Sequence, residues 1–378
     1  MYDFSIVDKH ISELIDNYAF GATIIVLKGE DVIFSKCYGL ANKEKNYPIT
    51  QHSVFRLASN TKIITATAAV IAESKGLFNL DDYVDQYIPG LKELYVRDEA
   101  GKLLDEHPYR ITIRQLLDHS SGFGCPPHEP RIYDSLKQED RKDLETAVNN
   151  YAKHPVLAFK PGSNRFYSAL MAFDIIARVI EITSHMKYDE FLRVNIFEPL
   201  DMPHTAYSYD NVKEEDIVKC SMLGENGNLV QFDERGHTFE NFVHGYTGGG
   251  AGLVSTIIDY SHLMVMLTNK GIYKGKRIIS EQAWNRLTEK RRIDYPQGGY
   301  DYWGCGVQFH LPDWGRLPKD AFCWSGAYGT HAWSDPINGI SVVYMHNTLI
   351  PTHGGSEGGH IKMIENDIYN ALGIVIKQ

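Results

Sequence analysis

Residues 55–62 read Phe-Arg-Leu-Ala-Ser-Asn-Thr-Lys, and they lead into residues 63–72, which are apolar almost all round. A helix that is apolar on every side lies in a core. Ser59 and Lys62 are therefore predicted at the start of a buried helix, three residues apart and on the same face. A serine hydroxyl becomes an effective nucleophile when a neighbouring base takes its proton. The stretch predicts a nucleophilic serine with a lysine partner.

The surroundings of this lysine matter as much as its spacing. Removing Lys62 from water disfavours its charged form, which leaves more of the neutral amine that acts as a base. The first turn of the helix adds backbone amide donors near Ser59. In the alternative interpretation, Ser59 is an N-cap and Lys62 is a solvated first-turn residue. The same spacing recurs at Ser184 and Lys187, past a helix end in polar surroundings, where we interpret it as a surface connection.

Composition and charge exclude several classes of protein. The chain has 378 residues, 43% hydrophobic and 23% charged, which is typical of a globular protein with one large or two interlocked domains. Its formal net charge of −10 argues against a nucleic-acid or anionic membrane partner, because both select basic patches. We find neither a signal-peptide pattern nor a segment apolar enough to span a bilayer. The five cysteines include no CxxC pair, so we expect no disulfide framework, no thiolate zinc site and a cytoplasmic location.

Both ends of the chain predict parts of one sheet. Residues 4–18 have the periodicity of an amphipathic helix, and two β-rich runs follow at residues 23–27 and 32–34, around a tight turn. Near the other end, strands are predicted at residues 303–310, 321–324, 330–333 and 340–346, with a helix at residues 361–372. The expected fold class is α/β (α+β), with one sheet built from both chain ends and flanked by helices.

The middle of the chain predicts helices instead, at residues 61–74, 113–118, 168–183 and 256–269. Thr256 and Asp259 have the spacing of a capping box at the start of the last one. We expect residues 1–58 and 291–378 to form the sheet domain and residues 59–290 to form a mostly helical domain. The active site is expected at their interface.

Two charged stretches, residues 93–110 and 129–153, lack clear periodicity. We expect them to be loops or irregular helices over the surface. Together with residues 291–318 they are the least patterned parts of the chain. They are therefore predicted to shape the substrate pocket, and the natural substrate does not follow from the sequence.

Four further segments follow the Ser59 stretch in order. They are Leu-Leu-Asp-His-Ser-Ser-Gly at 116–122, Pro-Gly-Ser-Asn-Arg-Phe-Tyr-Ser at 161–168, Gly-Gly-Ala-Gly-Leu-Val-Ser-Thr at 249–256 and Trp-Ser-Gly-Ala-Tyr-Gly at 324–329. With residues 55–62, this series resembles the penicillin-binding protein and class C β-lactamase superfamily, whose related enzymes carry an S-x-x-K motif. The resemblance spans most of the chain. It implies a β-lactamase-like fold, in which the sheet built from both chain ends is antiparallel, and an acyl-enzyme at Ser59.

The resemblance also implies roles for individual residues. Tyr167 would shuttle the proton between Ser59, Lys62 and the leaving group. A tyrosine has an ordinary pKa of about 10, so it acts as a base only beside a cation that stabilises its phenolate. The backbone amides of Ser59 and Ala327 would form the oxyanion hole. The implied substrate-binding residues are Trp324, Ser325, Gly326, Ala169 and Tyr328. His119 is assigned to the turn at residues 120–122.

Two departures from the superfamily pattern bear on the substrate. Ala169 stands where the second motif generally ends in Asn, and Trp324 stands where the third motif has a basic residue. Both substitutions resemble the carboxylesterase branch called family VIII. They put the turnover of β-lactams and peptides in doubt.

The expected function is a serine hydrolase that acts on a small-molecule ester or amide through an acyl-enzyme, by hydrolysis or by transfer of the acyl group. No metal or cofactor is expected. The alternative among enzymes is a β-lactamase or D-amino-acid peptidase. The alternative outside enzymes is a penicillin-recognising sensor that is acylated without turnover. The oligomeric state does not follow from the sequence.

Overall fold

The computed structural model of the chain describes residues 2–15, 17–232, 246–295, 299–309, 317–349 and 359–376. The strands in these ranges are β1 (Gly21–Lys28), β2 (Asp31–Asn42), β3 (Tyr47–Pro48), β4 (Val54–Arg56), β5 (Tyr95–Val96), β6 (Val156–Leu157), β7 (Ser221–Leu223), β8 (Leu229–Gln231), β9 (Val254–Thr256), β10 (Ile272–Tyr273), β11 (Lys276–Arg277), β12 (Arg291–Asp294), β13 (Tyr300–Trp303), β14 (Gln308–Phe309), β15 (Phe322–Ser325), β16 (His331–Asp335), β17 (Ile340–His346) and β18 (Thr348–Leu349). The α-helices are α1 (Ser5–Leu14), α2 (Thr61–Ser74), α3 (Ile113–Leu117), α4 (His128–Ser135), α5 (Leu144–Tyr151), α6 (Met171–Ser184), α7 (Tyr188–Leu192), α8 (Ile257–Thr268), α9 (Glu281–Thr288) and α10 (Gly359–Ala371).

The main sheet has the strand order β12-β13-β14-β15-β16-β17-β1-β2-β3, and its pairings are antiparallel. At its centre, β1 lies beside β17, with Ala22 opposite His346 and Lys28 opposite Ile340. The prediction of one antiparallel sheet made from both chain ends is therefore confirmed. The single strand predicted at residues 303–310 is two strands in the structure. Residue 303 ends β13, residues 308–309 form β14, and residues 304–307 connect them. Residue 310 lies outside the described part.

Helices cover both faces of this sheet. Ile25 and Leu27 of β1 share a core with α2 and α8, whereas Ile24 and Val26 share a second core with α1 and α10. A strand with two covered faces needs a continuous apolar run in place of an alternating one. The run from residue 24 to residue 27 therefore follows from the central position of β1.

Helix α2 passes through the larger core, and every residue from Thr61 to Ala72 is buried. It packs against α6 and α9, and the 3₁₀ turn Ala58–Asn60 that precedes it contacts β15 of the main sheet. Ser59 therefore lies where the helical part of the chain meets the sheet. The domain boundaries at residues 58/59 and 290/291 stay a prediction. No helix in the described ranges combines the length and apolarity needed to cross a membrane.

The start of α8 shows how a predicted cap is built. Thr256 Oγ1 accepts from the backbone N–H of Asp259 at 3.1 Å, as the capping-box spacing predicts. Asp259 Oδ2 accepts instead from the backbone N–H of His204 at 2.6 Å. The acidic partner of the box thus ties α8 to a neighbouring loop.

The expectation that residues 129–153 lie over the surface is wrong. This stretch contains α4 and α5, and it includes Glu129 and Tyr151, which are 3% and 0% exposed. Each of the two helices has eight residues, too few turns to give a clear hydrophobic periodicity. Residues 93–110 hold the short strand β5 between irregular segments.

Candidate active site

The backbone before α2 presents the Ser59 side chain at the edge of the core. Ala58 has φ 46°, a left-handed conformation that is unfavourable for a residue with a Cβ atom. Such strain persists where the surrounding structure enforces it, and it concentrates at functional sites. Ala58 and Asn60 are buried, whereas Ser59 is partly exposed.

The structure brings the three predicted catalytic residues together. The hydroxyl of Tyr167 donates to Ser59 Oγ at 2.7 Å, and Lys62 Nζ lies 3.3 Å from the same oxygen. Tyr167 reaches Ser59 from the loop before α6, and Lys62 reaches it from the first turn of α2. Ser59 Oγ thus has two partners that can exchange a proton with it, and both are within hydrogen-bond distance.

Lys62 is 0% exposed, which confirms its predicted burial, but its amine group does not lie in apolar surroundings. Nζ donates to the backbone oxygens of Ala169 at 2.6 Å and of Gly250 at 2.7 Å. With Ser59 Oγ, these are three acceptors for the three N–H bonds of an ammonium group. Lys62 Nζ is therefore held between Ser59 and the backbone of two other segments.

A buried carboxylate organises the start of α6. Glu129 accepts from the backbone N–H groups of Ala169, Leu170 and Met171 at 2.6, 2.8 and 2.8 Å, and from the Ser168 hydroxyl at 3.2 Å. Burial raises the pKa of Glu129, and the three backbone N–H donors oppose that rise. Because these donors are held by Glu129, α6 begins at Met171, not at residue 168 as predicted. The sequence analysis missed this residue.

A second buried carboxylate supports the glycine-rich loop across the site. Asp174 Oδ1 accepts from the backbone N–H of Gly250 at 3.2 Å, and Oδ2 accepts from the hydroxyls of Tyr151 at 3.1 Å and of Tyr246. Burial raises the pKa of Asp174, and these donors oppose that effect. The sequence contained a signal for this residue, because Asp174 is an acid in the apolar first turns of α6.

An aromatic cluster lines the other side of Tyr167. The Trp324 ring lies 5.4 Å from the Tyr167 ring and 4.8 Å from the Trp303 ring, between ring centroids. Its Nε1 atom is buried and has no hydrogen-bond partner among the described residues. The indole therefore offers the site an apolar surface and not an accessible donor.

His119 belongs to the same cluster. Its φ of 61° confirms its place in a turn, but its ring also lies 4.9 Å from the Tyr167 ring. Nδ1 accepts from the backbone N–H of Ser168 at 3.3 Å. Burial, with Arg165 and Lys62 nearby, holds the pKa of His119 well below its ordinary value. His119 is therefore a neutral packing partner of Tyr167, a role that its assignment to the turn did not include.

Gly326 allows β15 to approach the residues before Ser59. A Cβ atom on Gly326 would lie 2.3 Å from the Leu57 oxygen and 2.2 Å from Thr330 Oγ1. Thr330 Oγ1 donates to that same Leu57 oxygen at 2.9 Å, which fastens the strand end to the turn. Ala327 follows directly, and the oxyanion-hole role of the Ser59 and Ala327 amides stays a prediction.

Two other predicted substrate-binding residues make contacts within the protein. Ser325 Oγ lies 2.8 Å from His331 Nδ1, and His331 Nε2 lies 3.0 Å from Glu365 Oε1 of α10. Since side chains alternate along a strand, Ser325 faces the opposite side of the sheet from Trp324. Tyr328 is 2% exposed in a small cluster with Ala58. Substrate contact by Ser325 and Tyr328 stays a prediction.

The second match to the serine-lysine spacing has different surroundings. Ser184 Oγ donates to the backbone oxygen of Ile180 at 2.6 Å, at the end of α6. Lys187 is exposed. Across the described ranges, no group of three or more His, Cys, Asp or Glu side chains is arranged to hold a metal ion.

Comparisons with known proteins find a similar sequence and similar folds. The chain is 24% identical over 365 residues to a putative D-alanyl-D-alanine carboxypeptidase of Escherichia coli (strain K12), covering 90% of this chain and 81% of that protein. Its structure is similar to that of EstCE1, described as a hydrolase with promiscuous acyltransferase activity, with a TM-score of 0.79, 21% identity and coverage of 97% and 98% of the two chains. It is also similar to a family VIII carboxylesterase, with a TM-score of 0.77, 16% identity and 97% coverage of each chain.

These likenesses establish the β-lactamase-like fold, and they include proteins named for different substrates. A family model described as Beta-lactamase matches residues 7–361, which is most of the chain. This range includes Ser59, Lys62, Tyr167 and the other site residues described above. Glu365 of α10 lies outside it. This protein belongs to the beta-lactamase family of serine hydrolases.

Proposed function

We propose that this protein is a carboxylesterase-like hydrolase that forms an acyl-enzyme on Ser59, with Lys62 and Tyr167 as the activating pair. One observation carries the proposal: Ser59 Oγ lies 2.7 Å from the Tyr167 hydroxyl and 3.3 Å from Lys62 Nζ. A serine with two adjacent proton-exchanging groups has the arrangement that covalent catalysis requires. The positions of Lys62 and Tyr167 are fixed by different elements, so the arrangement depends on the tertiary fold.

In the proposed reaction, Ser59 Oγ attacks the carbonyl carbon of the ester while its proton passes to the Lys62–Tyr167 pair. The carbonyl π electrons move onto the oxygen, which the amides of Ser59 and Ala327 would stabilise. Collapse of this intermediate breaks the bond to the leaving oxygen, which takes the proton from Tyr167 and departs as an alcohol. Water then attacks the acyl-enzyme through the same steps in reverse. An alcohol in place of water gives acyl transfer.

The preference for esters rests on Ala169 and Trp324. Ala169 has no polar side-chain atom, and its backbone oxygen accepts from Lys62. The Trp324 N–H is buried, so its ring presents an apolar surface beside Tyr167. Neither residue offers a side-chain hydrogen bond to the amide or carboxylate groups of a β-lactam or peptide. The cytoplasmic location, the small-molecule partner and the absence of a cofactor stay predictions.

The test is covalent labelling followed by mapping. Incubation with a fluorophosphonate should add one label by intact-mass measurement, and peptide mapping should place it on Ser59. Ser59→Ala should abolish labelling, and the matched control Ser184→Ala should label like the natural protein. A label on Ser184, or unchanged ester turnover in folded Ser59→Ala, would contradict the proposal. A single stoichiometric burst with p-nitrophenyl butyrate, followed by no turnover, would identify the acylated sensor instead.

A further inference from the structure

The two backbone oxygens that accept from Lys62 belong to residues that buried carboxylates hold from the other side. Ala169 accepts from Lys62 at 2.6 Å through its oxygen and donates to Glu129 Oε2 at 2.6 Å through its N–H. Gly250 accepts from Lys62 at 2.7 Å and donates to Asp174 Oδ1 at 3.2 Å. The same relationship thus occurs twice, once on each side of the lysine.

Both carboxyl groups accept from backbone N–H groups. Glu129 accepts from three of them and from the Ser168 hydroxyl. Asp174 accepts from the Gly250 N–H and from two tyrosine hydroxyls. A backbone N–H can only donate, so each carboxyl oxygen that faces one acts as an acceptor. Both side chains therefore hold backbone N–H groups in place.

The backbone around these residues has little room to shift. A Cβ atom on Gly249 would lie 2.1 Å from the Phe173 oxygen, and one on Gly250 would lie 2.9 Å from the Leu170 oxygen. The loop therefore lies directly against the start of α6. Closely packed segments of this kind transmit a displacement to their neighbours because they contain no space to absorb it.

We propose that Glu129 and Asp174 are positioning residues, which hold Lys62 Nζ against Ser59 Oγ through the backbone of Ala169 and Gly250. This inference rests on the proposed function, in which Lys62 activates Ser59. Neither carboxylate contacts the hydroxyl of Ser59 in the described contacts. Their effect on the reaction would therefore pass through the lysine.

Glu129→Gln and Asp174→Ala test the inference, because the first places an NH₂ group against N–H donors and the second removes the oxygen that accepts from Gly250. For p-nitrophenyl butyrate we expect kcat to fall about 10- to 100-fold, with KM changed less than about 3-fold, because a small misplacement of a catalytic group lowers the rate of the chemical step. An unchanged kcat in a folded variant overturns the inference for that carboxylate. Glu129 holds Ala169 and Asp174 holds Gly250. Either variant is therefore a sufficient test if it folds.

Asp335→Asn is the matched control. Asp335 is 0% exposed and also accepts only from donors, namely the N–H groups of Ile337 and Asn338, the Asn338 amide and the Tyr369 hydroxyl. It lies at the end of β16 and bonds Tyr369 of α10, which belongs to the second core, whereas α2 belongs to the first. We expect Asp335→Asn to lose stability as the other two variants do while kcat stays within about 2-fold. An equal loss of kcat in all three variants would show a general effect of losing a buried carboxylate.

A double-mutant cycle shows whether Glu129 acts through Lys62. Fluorophosphonate labelling of Ser59 is measured by intact mass in the natural protein, in Glu129→Gln, in Lys62→Met and in the double variant. If Glu129 acts through the lysine, adding Glu129→Gln to Lys62→Met should change the labelling rate less than about 2-fold. An equal fold-loss in both backgrounds would overturn the inference. Failure of the natural protein to label Ser59 at all would instead refute the proposed function.

Discussion

Lys62 Nζ lies 2.6 Å from the backbone oxygen of Ala169, a residue whose side chain has no polar atom. The sequence suggested that replacing Asn by Ala at this position removes a polar partner from the site. The structure shows that the residue still contributes an acceptor, through its backbone. Alanine at this position therefore removes a side-chain hydrogen bond to the substrate, while Lys62 keeps its backbone acceptor.

Lys62→Arg should lower the rate of Ser59 acylation by about 10³-fold or more, since general acid–base and nucleophile activation contribute effects of this size. The guanidinium group cannot give up its proton at working pH, and it is too wide for a position fixed by two backbone oxygens. Stopped-flow measurement with p-nitrophenyl butyrate gives the acylation rate. The surface variant Lys187→Arg is the control, and near-normal acylation in Lys62→Arg would leave Lys62 with only an electrostatic or structural role.

Gly326→Ala should disturb both folding and catalysis. The new Cβ atom would lie 2.3 Å from the Leu57 oxygen, so β15 must move away from the turn that carries Ser59. We expect a loss of about 1 to 3 kcal/mol in the free energy of unfolding, and a fall in kcat of about 100-fold. Thermal unfolding and ester kinetics measure the two effects. The control is Gly359→Ala, whose Cβ atom would meet nothing within 4 Å, and it should change neither stability nor kcat. Full activity in Gly326→Ala would show that catalysis does not require β15 to lie this close to Leu57.

His119 predicts a pH dependence of stability. Burial lowers its pKa in the folded protein below the unfolded value of about 6.5, so the unfolded chain binds an extra proton between these two values. Stability is then fully present above about pH 6.5 and falls with decreasing pH, by up to about 1.4 kcal/mol per pH unit for one such group. Urea unfolding of the natural protein and of His119→Phe between pH 5 and 7.5 measures the slope.

His119→Phe lacks the titrating imidazole, so its free energy of unfolding should depend less steeply on pH than that of the natural protein. His107→Phe is the control because His107 is exposed, and its slope should match that of the natural protein. Equal slopes in all three proteins would mean that His119 does not carry the pH dependence.

The enzyme should hydrolyse short activated esters well and β-lactams poorly. Two hydrogen bonds that the superfamily pattern provides are missing at Ala169 and Trp324, and each is worth about 1 to 3 kcal/mol. Together they lower β-lactam turnover by about two to four orders of magnitude relative to enzymes that retain them. Parallel assays with p-nitrophenyl butyrate and nitrocefin compare kcat/KM directly. A value for nitrocefin equal to that of the ester would refute the preference for esters.

Residue spacing and the family resemblance predicted the residues that contact Ser59. They did not predict Glu129 and Asp174, which contact Lys62 only through the backbone of other residues. Ser59 and Lys62 were predicted from their spacing and Tyr167 from the family resemblance, and the structure places the three within hydrogen-bond distance. Glu129 was missed because an acid in a charged stretch resembles a solvated residue. Only the tertiary fold brings it to the first N–H groups of α6. Asp174 was missed as well, although an acid in an apolar helix requires buried donors and is therefore a signal in the sequence.

The same limit applies to the fold. Apolar periodicity predicted the strands at both chain ends, and their antiparallel pairing followed the family resemblance. It did not predict α4 and α5, since eight-residue helices contain about two turns each. Helix α5 packs against α6, and Glu129 of α4 accepts from the first N–H groups of α6, and local sequence does not encode either contact.

The pairing of β1 with β17 has a consequence for how the protein is made. These neighbouring strands are separated by roughly 320 residues of chain, which a ribosome needs about 15 to 60 s to add. During that interval the residues of β1 have been synthesised but half of their hydrogen-bonding partners have not. A nascent chain that stops before β17 already contains Ser59 and Lys62 but cannot close the sheet that carries β15. Enzymatic activity therefore reports that synthesis has reached the last strands, and not merely that the catalytic motif has been translated.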